Sequence, residues 1–167
     1  MIERDIRLND GRTLHVYDTA PDDDRQTPVI WHHGAPNLGA PPEPLFAAAG
    51  RLGFRWIGFD RPGYGGSSID ANRTIASVAG DTARAADALG IGEFAVMGYS
   101  GGGSYALGVA ASLGSRVRAA ATMAAIAPYA APGLDWFTGM IPSSVAALGT
   151  AAAGRDVRAA LDRAGFN

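Results

Sequence analysis

The sequence has 167 residues, with 14 arginines, no lysine, 16 acidic residues, no cysteine and a formal net charge of −2, and 47% of its residues are hydrophobic. This length and apolar content predict one globular domain of ordinary size with a hydrophobic core. The charge balance disfavours binding to nucleic-acid phosphates, and the absence of cysteine excludes disulfides and thiolate metal sites.

The distribution of charged residues along the chain bears on the protein's cellular location. The opening segment MIERDIRLND is charged throughout, which is unlike a secretory signal and predicts a cytoplasmic protein. Two uncharged stretches, Phe94–Ser115 and Trp136–Gly154, have the length of a membrane span. Their Gly, Ser and Pro residues favour buried elements of a globular fold instead, so no membrane contact is expected.

The first third of the chain predicts a hairpin followed by buried strands. Two strands, Ile2–Leu8 and Arg12–Thr19, flank an Asp-Gly pair, which favours a tight hairpin turn. Short apolar runs then predict strands over Val29–His32 and Phe54–Phe59, with a helix over Pro44–Leu52 between them.

The middle of the chain alternates helices with strands. Thr74 is a suitable N-cap for a helix that ends at Gly90. A strand is expected over Phe94–Met97, a helix over Gly102–Leu113 and a strand over Val117–Ile126. This alternation after an antiparallel start predicts an α/β fold with a mostly parallel sheet and helices on both faces.

The pattern changes after residue 127, where prolines interrupt the chain. Short helices are expected over Leu134–Met140, Ser143–Ala153 and Asp156–Ala164. We therefore predict two parts, a core over residues 1–127 and a helical segment over residues 128–167.

One short motif carries the clearest chemical signal. Gly98-Tyr99-Ser100-Gly101-Gly102 matches the pattern G-x-S-x-G between a predicted strand and a predicted helix. Such a turn is too tight for side chains at its flanking positions, and it holds the serine exposed in a strained backbone. Amides at the start of the helix point at the same place. Ser100 is therefore a candidate nucleophile.

Two further loops extend this signal. His33-Gly34-Ala35-Pro36 follows one predicted strand, and residues 60–67, which read DRPGYGGS, follow the next. With the G-x-S-x-G motif, in this order from Ile2 to about Pro128, they resemble the α/β-hydrolase superfamily, closest to its branch of proline iminopeptidases, esterases and haloperoxidase-like enzymes.

The resemblance implies a serine hydrolase that works through an acyl-enzyme on Ser100. It implies that the backbone amides of Gly101 and Ala35 form the oxyanion hole, where each donor is worth about 3 kcal/mol in other enzymes. The expected substrate is a small neutral or apolar ester or amide, without a metal or cofactor. A serine at this position argues against the dehalogenase and epoxide-hydrolase branches, whose nucleophile is a carboxylate.

Neighbouring polar residues receive supporting roles. His32 and His33 end a strand that the family fold places beside the one carrying Ser100, so either could act as a base. The favoured interpretation is that His33 braces the oxyanion loop by hydrogen bonds while His32 packs. Asp60 and Arg61 are expected to fix loops rather than to catalyse.

The family resemblance also bears on residues 128–167, which it identifies as the start of a helical lid. Four apolar residues there, Trp136, Phe137, Met140 and Ile141, could line a substrate pocket beneath such a lid or simply form core.

The expected catalytic triad is incomplete in this sequence. The family order is Ser, then an acid, then His, but after Ser100 the sequence has Asp135, Asp156 and Asp162 and no histidine. Loss of a triad member costs on the order of 10⁶ in rate in a well-studied case, so the chain alone is expected to be a poor enzyme. The acid and His are expected on a complementary C-terminal fragment, or they are missing from this sequence.

Two alternative functions remain open. The chain could be a non-catalytic binding module of hydrolase descent. A nicotinamide site is the second, because Gly101-x-Gly103-x-x-Ala106 fits the dinucleotide fingerprint, although the acidic residue expected about twenty positions later is missing. The resemblance further implies that a C-terminal strand of the family fold pairs with the strand over Val117–Ile126. Without that partner the strand would be an unpaired sheet edge, which predicts self-association if no complementary fragment binds it.

Overall fold

In the computed structural model, which describes residues 1–129 and 131–165, six strands form one sheet in the order β1-β2-β4-β3-β5-β6. The strands are β1 (Ile2–Arg7), β2 (Thr13–Asp18), β3 (Thr27–His32), β4 (Phe54–Phe59), β5 (Phe94–Tyr99) and β6 (Val117–Met123). β2 pairs antiparallel with both β1 and β4, whereas β4, β3, β5 and β6 run parallel. The predicted antiparallel start and parallel continuation are confirmed.

The helices within the described residues are α1 (Phe46–Leu52), α2 (Ile75–Ala88), α3 (Gly101–Leu113), α4 (Pro142–Ala152) and α5 (Arg155–Arg163). Thr74 begins α2 as predicted, because its hydroxyl accepts a hydrogen bond from the Ser77 amide at 3.0 Å and its own amide donates to the Ser77 hydroxyl at 2.9 Å. None of these helices combines the length and apolar character needed to cross a bilayer.

Apolar side chains of the parallel strands alternate between two layers. Ile30 of β3 joins Val78 of α2 in one cluster, whereas its neighbours Val29 and Trp31 join Ala49 of α1 in the other. Successive side chains of a strand point to opposite faces. Helices therefore cover both faces of the sheet, as expected.

β6 is shorter than predicted and forms one edge of the sheet. It ends at Met123 rather than Ile126, because Ala124 has a φ of 49°, which a strand cannot accommodate. Its residues from Arg118 to Met123 are all exposed. The edge of β6 away from β5 is unpaired in the described chain.

The chain divides into two compact units, Met1–Ile126 and the residues from Ala127 onward. In the second unit the helix expected over Leu134–Met140 is wrong, since residues 136–139 form a turn. The φ of 82° at Gly139 does not fit a helix. The rings of Tyr129, Trp136 and Phe137 pack edge to face there, with centroids 5.1 to 6.1 Å apart.

Candidate active site

Ser100 lies in the turn that joins β5 to α3, with φ 54° and ψ −126°. A positive φ is uncommon for a residue with a side chain and costs energy unless the surroundings fix it. Two backbone hydrogen bonds fix it here: the Ser100 amide donates to the Met123 carbonyl at 2.9 Å, and its carbonyl accepts from the Gly103 amide at 2.9 Å. The half-buried serine is thus held in the strained geometry that the motif predicts.

The glycines around Ser100 are required to different degrees. A Cβ on Gly98 would lie 2.2 Å from the Gly102 carbonyl oxygen, and one on Gly102 would lie 2.0 Å from the His32 carbonyl oxygen. A Cβ on Gly101 would meet nothing within 4 Å. Packing therefore demands glycine at positions 98 and 102 but not at 101.

The loop after β3 adjoins the serine. A Cβ on Gly34 would lie 3.3 Å from the Cβ of Ser100 and 3.2 Å from the Tyr99 carbonyl oxygen. Ala35 follows Gly34 directly and is exposed. Of the three predicted site residues, Ser100 and Gly101 therefore share one turn, and Ala35 belongs to the loop that adjoins it.

His33 is buried, and both of its ring nitrogens have backbone partners. Nε2 accepts the Arg61 amide at 3.2 Å, so Nδ1 carries the proton and donates to the Gly34 carbonyl at 2.8 Å. Burial, and then the charge of Arg61, lowers the pKa of His33 to about 4. The hydrogen bonds expected of His33 are confirmed, and its ring offers no free base.

His32 packs inside the first apolar layer. Its ring meets Phe59 edge to face with centroids 5.8 Å apart, and among the described residues neither ring nitrogen has a hydrogen-bond partner. Burial lowers its pKa to about 3, with smaller contributions from Arg61 and His33. The expectation that His32 packs is confirmed.

Asp60 is buried and ties loops together, as expected. Its carboxylate accepts hydrogen bonds from the amides of Gly39 at 2.7 Å and Gly66 at 2.9 Å, and from the Tyr17 hydroxyl at 3.3 Å. Burial, and then the charge of Asp60, raises the pKa of Tyr17 to about 12. One carboxylate thus ties the loop after β3 to the loop after β4.

Arg61 is also buried, and its guanidinium lies 5.3 Å from the ring centroid of Tyr64 and 4.7 Å from that of Tyr105. Sequence reasoning gave the arginine a loop-fixing role but missed both tyrosines. Tyr64 stands within the motif of residues 60–67, which is a usable signal. Tyr105 lies on α3, and no local pattern relates it to Arg61.

The remaining histidine is occupied as well. His15 lies with Nδ1 2.8 Å from Asp5 and Nε2 3.2 Å from Glu3. The hydrogen bond with Asp5 raises its pKa, while partial burial lowers it. Since the sequence contains only three histidines, no residue in the described chain is placed as a free imidazole base for Ser100.

The parallel strands β3, β4 and β5 place Ser100, the loop after β3 and the loop after β4 at the same, carboxyl end of the sheet. Ligands of open α/β sheets bind at the carboxyl ends of the parallel strands. In the part of the chain that the structure describes, no group of three His, Asp or Glu side chains is placed to hold a metal ion.

Residues 27–160 match the profile of the family described as alpha/beta hydrolase fold. No curated protein matches the sequence significantly.

Solved structures show the same fold. A hydrolase from Pseudomonas aeruginosa aligns with a TM-score of 0.63 at 19% identity, over 90% of this chain and 52% of that one. An epoxide hydrolase of the same superfamily from metagenomes of hot environments aligns with a TM-score of 0.60 at 32% identity, over 76% and 43% of the two chains. An esterase from Exiguobacterium antarcticum aligns with a TM-score of 0.61 at 27% identity, over 76% and 47%. The chain thus spans about half the length of the structures it matches.

Proposed function

The chain belongs to the alpha/beta hydrolase fold family, and on that premise we propose that it is the nucleophile-bearing part of a serine hydrolase for small neutral or apolar esters or amides. The observation that carries the proposal is the strained backbone of Ser100, with φ 54°, beside the Gly34 loop. Such strain persists only where the surrounding structure enforces it, and it is concentrated at functional sites.

The proposed reaction follows from the groups around Ser100 at the carboxyl ends of the parallel strands. The Oγ of Ser100 forms a bond to the acyl carbon while its proton passes to a base, and the carbonyl oxygen becomes an oxyanion. The amides of Gly101 and Ala35 donate to that oxyanion. The bond to the leaving group then breaks as the protonated base donates its proton to that group. Water then attacks the acyl-enzyme by the same two steps and releases Ser100.

The base and its acid come from outside the described residues in this proposal. β6 offers an unpaired, exposed edge without proline, which is a template for a further strand. We propose that a complementary segment adds there and brings the His and the acid to Ser100. Self-association through the same edge is the alternative when that segment is absent.

A fluorophosphonate probe tests the serine mechanism. The 167-residue chain alone is expected to react slowly, and reaction is expected to rise sharply when a complementary C-terminal segment is supplied. The Ser100→Ala variant must lose the label in both cases. Rapid Ser100-dependent labelling of the chain alone would contradict the need for a second segment, and no labelling in either case would favour a binding module without catalysis.

Epoxide hydrolysis is the second candidate, because the epoxide hydrolases from hot-environment metagenomes share 32% identity with the chain. The hydroxyl at position 100 disfavours it, since epoxide-opening members of the superfamily use a carboxylate there. Incubation of the complemented protein with an aryl ester and an aryl epoxide separates the two. Turnover of the epoxide but not of the ester would overturn the acyl-transfer proposal.

A further inference from the structure

Within the part of the chain that the structure describes, Arg61 is a buried cation without an anionic partner. Only 2% of its surface is exposed, and its Nε has no hydrogen-bond partner among the described residues. None of the ion pairs formed within residues 1–129 and 131–165 includes it. Removing a charge from water is costly unless other groups compensate it. The contacts that the Arg61 side chain makes in place of an ion pair therefore indicate its role.

These contacts join three parts of the candidate site. From its own loop, Arg61 donates through Nη1 to the His33 carbonyl and through its amide to Nε2 of His33. Its guanidinium packs on Tyr64 of the same loop and on Tyr105 of α3, the helix that begins at the Ser100 turn. The side chain therefore connects the loop carrying Ala35 to the helix carrying Gly101.

We propose that Arg61 is a positioning residue for the oxyanion hole, holding the His33–Ala35 loop at a fixed distance from Ser100 without touching substrate. This inference rests on the proposed serine hydrolase function. Displacement of a catalytic group by about 1 Å can cost on the order of a hundredfold in rate. A buried tie between the two halves of an oxyanion hole is thus a means of keeping that distance.

The residue type suits this role. A guanidinium is planar and weakly hydrated, so it packs on aromatic rings and donates in fixed directions, whereas the ammonium of lysine is a strongly hydrated point charge. Its charge also lowers the pKa of His33, which burial already depresses. A neutral His33 keeps Nε2 as the acceptor for the Arg61 amide, so the two residues maintain each other's bonding.

The chain offers a matched control. Arg73 also lies 5.3 Å from the Tyr64 ring and donates through Nη1 to a loop carbonyl, that of Pro62. Neither of these contacts reaches His33 or Tyr105. Comparison of Arg61→Met with Arg73→Met therefore separates the proposed tie from the general loss of an arginine beside Tyr64.

Two measurements test the proposal. In NMR spectra of the 167-residue chain, Arg61→Met should shift the amide signals of Gly34 and Ala35 and raise the pKa of His33. Arg73→Met should leave both amide signals nearly unchanged and raise that pKa by less, because the charge of Arg73 lowers it less than that of Arg61. In the complemented protein, Arg61→Met should lower kcat for an aryl ester by about tenfold or more with little change in KM, and Arg61→Lys should recover part of the loss. The variants compared kinetically are first shown by thermal unfolding to have equal stability.

The outcomes are distinguishable. Equal effects of the two Met variants, or unperturbed Gly34 and Ala35 signals in Arg61→Met, would overturn the positioning role. So would normal kcat despite shifted signals. If Ser100→Ala retains full activity, the serine mechanism fails instead, and the NMR comparison still decides whether Arg61 holds the loop.

Discussion

The α-carbon of Gly102 packs directly against the carbonyl of His32, so that a methyl group on it would lie 2.0 Å from the oxygen. This contact joins the first turn of α3 to the end of β3. Since β3 leads into the Gly34 loop and α3 follows Ser100, the absence of a single side chain allows the two halves of the candidate site to meet.

Gly102→Ala is expected to destabilise the 167-residue chain by about 1–3 kcal/mol or more, because overpacking at a backbone contact forces the strand and the helix apart. Gly101→Ala is the matched control, since its Cβ would meet nothing within 4 Å and alanine favours a helix by about 1 kcal/mol over glycine. Urea denaturation of both variants measures the difference. Equal loss in the two would show that the contact with His32 is not limiting.

His32→Leu is expected to leave the stability at pH 7 unchanged or to raise it by about 1 kcal/mol. The two ring nitrogens of His32 are buried without partners in the described chain, and such groups carry a desolvation cost without a compensating hydrogen bond. His33→Leu is the control, because it removes hydrogen bonds to Gly34 and Arg61 and should destabilise. Thermal unfolding ranks the variants. A large loss in His32→Leu would indicate a polar partner for that ring, such as a bound water.

The free energy of unfolding should fall as the pH drops below about 6.5, the ordinary pKa of a histidine side chain. The pKa is lowered to about 3 for His32 and to about 4 for His33 in the folded chain. Between these values and about 6.5, the two histidines are therefore protonated in the unfolded chain but not in the folded chain. The free energy of unfolding keeps its full value above about pH 6.5 and decreases toward pH 4, by about 1.4 kcal/mol per pH unit for each histidine. His15, whose pKa is raised, acts in the opposite direction and weakens the fold as pH rises through its folded pKa. Urea titrations from pH 7 to 4 should show a shallower slope in His32→Leu, and an unchanged slope would refute the assignment.

Local patterns predicted the strands well because each buried strand is a short apolar run, and the motif around Ser100 located the turn from its glycines alone. The end of β6 was wrong because nothing local announces the positive φ of Ala124. The helix over Leu134–Met140 failed for a related reason, since its apolar residues form an aromatic cluster rather than a helical face.

The supporting polar network shows where sequence reasoning stops. The loop-fixing roles of Asp60 and Arg61 were foreseen, but their partners Gly39, Tyr17 and Tyr105 lie far away in sequence. Long-range packing chooses such partners, and neither periodicity nor a motif encodes them.

Asp60→Asn is expected to destabilise the chain by about 1–3 kcal/mol, the cost of leaving a buried hydrogen-bonding group without its partner. Both carboxylate oxygens accept backbone amides, from Gly39 and Gly66, and the amide group of Asn would turn a donor toward one of them. Asp24→Asn is a control at an exposed loop carboxylate, where little change is expected. Guanidinium denaturation measures both. Similar small losses would show that water replaces Asp60 at low cost.

Ser100→Gly should stabilise the chain relative to Ser100→Ala. Position 100 has φ 54° and ψ −126°, a conformation that glycine reaches freely and that costs about 1–3 kcal/mol for a residue with a Cβ. Glycine also loses more backbone entropy on folding, by about 0.5–1 kcal/mol, so a net gain of about 1 kcal/mol is expected. Both variants remove the hydroxyl, so any difference between them reports backbone strain rather than chemistry. Thermal and urea unfolding of the pair give the measurement, and an alanine variant as stable as the glycine variant would mean that the turn relaxes and holds no strain at Ser100.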